Sequence, residues 1–281
     1  MRTVSRNLDG HRPRKTLGQH FLHDPGVLAC IVATIAPQPD DRMVEIGPGL
    51  GALTRPLLAR LAHLHVVELD RELAARWRAE AAAGLRITLH EADALGFDFG
   101  SLGPDLRVVG NLPYNISSPL LFHLAEYAVH IRDMHFMLQK EVVERMAAAP
   151  ATPAYGRLSV MLQARFRVQK LFNVPPGAFT PPPKVDSAVV RMQPLPGAAI
   201  PYRDAQRFAE LVARAFGQRR KTLRNTLKGL VDEASFQALG IDPARRGESL
   251  SVAEFAALAN HPGQEPVNRP TDVPSRKSPP G

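Results

Sequence analysis

Cysteine and long apolar runs are what this chain most lacks. Cys30 is the only cysteine in 281 residues, which excludes an internal disulfide and a cysteine-built metal cage. No apolar stretch reaches the roughly 18 residues that a membrane helix needs. No lipidation signal is present, and Met1-Arg2-Thr3-Val4-Ser5-Arg6 lacks the apolar segment of a secretion signal. The ten histidines are scattered and form no His-Glu-x-x-His pattern, so no metal is expected. Acidic residues are outnumbered, 27 against 35 Lys and Arg, giving a net charge of +8. A polyanion is therefore a plausible partner. The cytoplasm is the expected compartment, with no membrane partner.

What is present is an alternating pattern. Asp24-Pro25 supplies an N-cap and a first-position proline for a helix whose apolar face is Val27, Leu28, Ile31, Val32 and Ile35. Strands are predicted at Met43–Ile46, His65–Glu68, Ile87–His90, Val108–Val109 and His135–Leu138, with helices at about 51–62, 71–83, 118–128 and 140–148. That βαβα order implies an α/β fold, a mostly parallel sheet with helices on both faces. Two further strand-like runs, within 158–173 and at Ala188–Met192, suggest an antiparallel edge. After Leu195-Pro196-Gly197 the pattern turns helical over about 204–260. The organisation expected is a basic arm at 1–18, a larger domain at 19–198, a small all-helical domain at 199–261 and a disordered tail at 262–281. The tail holds six prolines and almost nothing apolar.

The first chemical signal is Glu45-Ile46-Gly47-Pro48-Gly49-Leu50-Gly51, a strand running into a glycine-rich turn. Glycines let a backbone turn tightly and approach a ligand. The next strand ends in Glu68-Leu69-Asp70, and the one after it in Glu91-Ala92-Asp93. Glu68 is placed to accept both hydroxyls of a ribose. Dinucleotide folds space their glycines G-x-G-x-x-G around a pyrophosphate. Here the spacing is G-x-G-x-G, and Glu45 precedes it, where it would repel a pyrophosphate but tolerate a cation. S-adenosylmethionine is favoured over a nicotinamide dinucleotide.

The second signal is Asn111-Leu112-Pro113-Tyr114, at the end of the apolar run Leu106–Gly110. The Asn side-chain oxygen can accept one N–H, Pro113 stiffens the backbone, and Tyr114 offers a flat face for a base. Taken alone, the four residues could be an ordinary strand-end turn. Beside a ribose-binding acid they suit the clamping of a planar exocyclic amine.

These stretches, with Gly18-Gln19-His20-Phe21-Leu22, Tyr155-Gly156-Arg157-Leu158-Ser159-Val160 and Phe179-Thr180-Pro181-Pro182-Pro183-Lys184-Val185-Asp186-Ser187, resemble the KsgA-type ribosomal RNA adenine N6-dimethyltransferases over about residues 12–260. The resemblance implies a Rossmann-like class I methyltransferase domain with S-adenosylmethionine as methyl donor and a small helical C-terminal domain. It implies a substrate of two adjacent adenosines in a hairpin loop near the 3′ end of small-subunit (16S) ribosomal RNA, dimethylated on N6 in the immature 30S subunit. Its cofactor contacts fall on His20, Leu22, Gly47, Glu68, Asp93 and Asn111. His20 departs from the family, which most often has Asn there.

In the mechanism expected, Asn111 and the Leu112 or Pro113 carbonyl accept the two N–H bonds of the adenine amine and aim its lone pair at the methyl carbon. Tyr114 stacks on one face of the base and Phe179 on the other. RNA contacts are expected from Arg14 and Lys15 and from an amphipathic helix over 204–230, with Phe208, Leu211, Val212, Ala215, Leu223 and Leu230 on one side. Arg207, Arg214, Lys221, Arg224 and Lys228 lie opposite, with Arg219 and Arg220 on the flanks and Gly217 as a possible kink. A monomer is expected. Two rivals remain: a large-subunit adenine methyltransferase of the macrolide-resistance type, and a mainly non-catalytic ribosome-assembly factor.

Overall fold

A computed structural model describes residues 13–14, 18–199 and 201–261. Most of the basic arm, Lys15 included, and the 262–281 tail lie outside the described residues. The chain divides between Ile200 and Pro201 into two compact units.

In the first unit a short strand β1 (Phe21–Leu22) precedes helix α1 (Pro25–Ile35). Asp24 caps α1 by accepting the Val27 N–H at 2.9 Å. Then come β2 (Met43–Ile46), α2 (Thr54–Leu58), β3 (Leu64–Glu68), α3 (Arg71–Ala82), β4 (Ile87–Glu91), β5 (Leu106–Asn111), α4 (Ser117–Glu126), β6 (Ile131–Gln139) and α5 (Lys140–Met146). The unit ends with α6 (Arg157–Gln163), β7 (Phe166–Val174), β8 (Phe179–Thr180) and β9 (Ser187–Pro194). Seven strands form one sheet in the order β4-β3-β2-β5-β6-β9-β7. The first five are parallel, and β9 pairs antiparallel with both β6 and β7. Every residue of β2 is buried, as a strand covered by helices on both faces requires. The strand order reverses between β2 and β5, the point where open α/β sheets bind ligands.

Two expected elements differ. The helix expected over 51–62 is only Thr54–Leu58, because Gly51 sits at φ +88°, outside helical space. Part of the strand-like run within 158–173 is instead helix α6, and the strand begins at Phe166. Leu158 and Leu162 lie one helical turn apart and are both buried, so the alternating apolar pattern also satisfies a helix.

Arg107 on β5 is the polar centre of the sheet. Its guanidinium donates to both oxygens of Asp133 at 2.9 Å, to Asp41 at 2.7 Å and to the Ile35 carbonyl at 2.6 Å. All three charged residues are buried. His135, on the neighbouring strand, is buried with neither ring nitrogen hydrogen-bonded among the described residues. Burial drops its pKa to about 4; Asp133 pulls it up, but Arg107 and Arg191 oppose that. The folded chain therefore holds His135 neutral at pH values where the unfolded chain, with an ordinary pKa near 6.5, is protonated. Its contribution to stability is present above about pH 6.5 and lost as pH falls toward 4. In thermal unfolding followed against pH, His135→Leu should remove that part of the acid-side decline. Parallel wild-type and variant curves between pH 7 and 4 would rule this out.

The second unit contains α7 (Ala205–Gly217), α8 (Leu223–Thr226), α9 (Glu233–Ala238) and α10 (Val252–Asn260). Phe208, Leu211, Val212 and Ala215 of α7 are buried, and α7 packs against α10. The single helix expected over 204–230 is thus two. The chain leaves helical geometry at Gln218, with φ −137° and ψ 84°. It restarts where the Leu223 and Arg224 amides donate to the Arg245 and Pro243 carbonyls at 2.8 and 3.0 Å.

Candidate active site

The carboxyl ends of β2, β3 and β5 open onto a cavity of about 160 Å³ lined by His20, Leu22, Gly47, Glu68, Asp93 and Asn111, among others. All six residues expected to hold the cofactor meet there. The glycine turn is held in shape by steric fit. A Cβ on Gly51 would lie 2.7 Å from the Trp77 ring and one on Gly49 would lie 3.0 Å from Phe21, while the Trp77 indole donates to the Gly49 carbonyl at 3.0 Å. Gly47, at φ +67°, has open space where its Cβ would be. Backbone can therefore approach a ligand at that point.

Glu68 is buried at the end of β3 and accepts the Asp70 N–H at 2.9 Å and the Gly49 N–H at 3.4 Å. Burial raises its pKa, against the pull of those N–H groups. Its orientation is fixed, and each carboxylate oxygen keeps a lone pair for a hydroxyl. Asp93 is exposed at the rim and accepts the Leu95 N–H at 2.9 Å. Among the described residues three acids line the cavity, Glu45, Glu68 and Asp93, and no Lys or Arg does. That donor set suits a cationic ligand with a ribose and disfavours a pyrophosphate.

Asn111 stands at the end of β5. Its Nδ2 donates to the His20 carbonyl at 2.9 Å, which leaves Oδ1 as the acceptor. Gly110 lets β5 approach β2, since a Cβ there would meet the Ile46 carbonyl at 2.7 Å. Tyr114 is held by a 2.7 Å hydrogen bond between its hydroxyl and Ser187 Oγ, and burial raises its pKa. The Pro113 carbonyl already accepts the Ser117 hydroxyl at 3.0 Å and the Ile116 N–H at 3.3 Å. Of the two carbonyls expected to hold the amine, Leu112 is therefore the better placed.

Phe179 is a correction. It is 2% exposed, pairs with Leu22 across β1 and β8, belongs to the apolar core and does not line the cavity. The ring beside Tyr114 is instead His20, with centroids 5.6 Å apart and planes at 26°. His20 Nδ1 bonds the Pro181 carbonyl at 2.7 Å. Sequence reasoning also missed Ser187 as the tether of Tyr114. Its signal was there, in the last residue of the Phe179–Ser187 stretch.

The basic residues expected to bind RNA are dispersed. Arg14 lies 3.4 Å from both Asp70 and Glu72, and Arg207 is partly buried and donates to the His261 carbonyl at 3.2 Å. Arg207 thus has its charge drawn inward, whereas Arg14 is exposed but paired. Arg214 and Arg224 are exposed but pair with Glu210 and Glu233. Arg219, Arg220 and Lys221 cluster on the turn between α7 and α8, and Lys228 is exposed beyond α8.

The topology, the glycine turn at the switch point and the buried acid at the end of β3 are those of a class I S-adenosylmethionine-dependent methyltransferase. The model of the family described as ribosomal RNA adenine dimethylase matches residues 10–262, and the chain belongs to that family. It is 64% identical over 248 residues to a ribosomal RNA small subunit methyltransferase A of Thiobacillus denitrificans, covering 88% of this chain and 97% of that one. It is 61% identical over 251 residues to the protein of that name from Aromatoleum aromaticum, covering 89% and 94%. Among solved structures it resembles a dimethyladenosine transferase from Plasmodium falciparum, with TM-score 0.74, 26% identity and coverage of 85% and 96%. It also resembles a 23S rRNA methyltransferase, with TM-score 0.66, 26% identity and coverage of 85% and 98%. The methyl donor of this class is S-adenosylmethionine. Removing the ribose acceptor by Glu68→Ala should weaken donor binding by about 1.5–3 kcal/mol, the scale of hydrogen bonds to a charged group. Calorimetric titration checks this, and unchanged affinity would reject the ribose assignment.

Proposed function

We propose that this protein dimethylates N6 of two adjacent adenosines in a hairpin loop near the 3′ end of small-subunit ribosomal RNA, acting as a monomer on immature 30S particles in the cytoplasm. The observation that carries the chemistry is the orientation of Asn111. With its Nδ2 tied to His20, its carbonyl oxygen and that of Leu112 can accept the two N–H bonds of an exocyclic amine. The amine nitrogen is then fixed with its lone pair toward the cofactor side of the cavity. When bound, S-adenosylmethionine supplies an activated methyl on a sulfonium. The residues orient the nucleophile and lower the barrier chiefly by position. Tyr114, held by Ser187, is the stacking face for a base that has left its own stack. The cluster Arg219, Arg220 and Lys221, with Lys228, suits contacts to phosphate that position RNA without reading its sequence. Arg214 and Arg224 can exchange their exposed carboxylate partners for phosphate, because such surface pairs contribute little.

The small-subunit reading is favoured over a large-subunit one by identity. The relatives named for the small subunit share 64% and 61% of residues with this chain, against 26% for the 23S rRNA methyltransferase. Among the described residues no helix is long and apolar enough to cross a membrane. The test is incubation with labelled S-adenosylmethionine and immature small or large subunits, followed by mapping of the modified nucleosides. Dimethyladenosine at two neighbouring positions of small-subunit RNA is expected. Label confined to large-subunit RNA, or no label, would overturn the reading.

A further inference from the structure

Glu45 stands apart from the other acids of the cavity. It is 2% exposed on β2, two residues before Gly47, and its Oε2 has no hydrogen-bond partner among the described residues. Glu68, by contrast, is satisfied by two backbone N–H groups. Among the described residues, the elements around Glu45 bring no Lys or Arg to it. Its partners across the sheet are Val66 and Val109. Ile31 of α1 and Leu53 beside α2 line the same cavity. The other titratable groups lining that cavity are His20, Glu68, Asp93, Tyr114 and His135, the last held neutral by burial. Arg107, two residues earlier on β5, is fully engaged with Asp133, Asp41 and Ile35.

A buried carboxyl without a partner is costly, and burying it ionised is costlier. A core position could be filled by an apolar residue, as at Met43 on the same face of β2, where no such cost arises. A cation delivered into the cavity removes the cost. We propose that Glu45 is a further binding residue for the methyl donor, its carboxylate serving as the buried counter-charge of the sulfonium and separating the charged donor from the product with its neutral sulfur. The inference rests on the reading of this cavity as the S-adenosylmethionine site. Burial pushes the Glu45 pKa up to about 8, the nearby Thr54 hydroxyl opposing the rise and Glu68 adding to it; Thr54 Oγ1 is itself buried with no hydrogen bond formed to the carboxyl. At neutral pH the carboxyl is therefore protonated in the free protein, and the arriving donor displaces its proton.

The test is calorimetric titration of the full chain with S-adenosylmethionine and, separately, with S-adenosylhomocysteine, at pH 7 in two buffers of different ionisation enthalpy. The donor should release a proton that the product does not. Glu45→Gln should abolish that release and weaken donor binding about tenfold or more, as a buried counter-charge is lost, with product binding little changed. Infrared spectra of the wild-type protein give a second reading that needs no variant: the carbonyl band of a buried protonated carboxyl should vanish on adding the donor and persist on adding the product. Donor binding with no proton release and an unchanged band would overturn the role of Glu45 while leaving the cofactor site intact. Failure of the wild-type protein to bind the donor at all would overturn the site assignment, and this inference with it.

Discussion

Replacing Asn111 with Ala should reduce turnover by a factor of about 10²–10³, the range measured when one preorganised polar contact is removed from a reaction centre. The effect should appear chiefly in kcat. Asn111 Nδ2 holds the His20 carbonyl, so the variant also loosens the segment that closes over the cavity, and donor affinity should fall somewhat. Glu68, Gly47 and Asp93 remain in place, so that loss should be much smaller than the loss of turnover. Asn111→Asp separates the two roles. It keeps an acceptor for the amine but places a carboxylate against the His20 carbonyl, where no N–H remains to donate. Single-turnover methylation of small-subunit RNA, paired with donor titration, measures both quantities. A variant that methylates within a few-fold of the wild-type rate would sink the amine clamp.

The largest effect on stability should come from Arg107→Ala. The guanidinium answers Asp133 with two hydrogen bonds, Asp41 with one and a main-chain carbonyl with another. Removing one partner of a buried ion pair costs about 3–5 kcal/mol, because the other charge stays buried and uncompensated. Asp41 retains Arg132 at 2.6 Å, whereas Asp133 keeps longer contacts, 3.7 Å to Arg191 and 3.8 Å to the neutral His135. The penalty therefore falls mainly on Asp133. Pairing Arg107→Ala with Asp133→Asn should recover part of the loss, since it removes the stranded charge. Denaturant unfolding with intact and variant protein decides the matter. A loss below about 1 kcal/mol would show that water or rearranged arginines replace the guanidinium.

The parts of the site that were legible in the sequence are those whose chemistry is local. A glycine turn after a strand, an acid at the end of the next strand and an Asn at the end of another can each be placed from neighbouring residues. The parallel order of the sheet then brings them to one edge. Phe179 was misread because its environment is not local. Its burial follows from pairing with Leu22, 157 positions earlier in the numbering, and nothing in the proline-rich stretch reveals that partner. The basic helix was misread for a related reason. The 218–222 segment keeps the charge periodicity of α7, but the amides of Leu223 and Arg224 are claimed by carbonyls at 243–245, which periodicity does not report. His20 could be flagged as unusual from sequence, yet its stack on Tyr114 depends on the pairing of β1 with β8 and on the bond to the Pro181 carbonyl.

The tether between Tyr114 and Ser187 links residues 73 positions apart, and Ser187 opens the strand that inserts between β6 and β7. During synthesis the glycine turn, Glu68 and Asn111 all leave the ribosome before that strand exists. A chain halted short of it would carry much of the donor pocket but no fixed stacking face. Antiparallel insertion of a late strand is also the kind of long-range pairing that folds slowly. The ability to grip a base should therefore arrive last, once the whole sheet has closed, so a nascent or truncated chain has little means of modifying RNA.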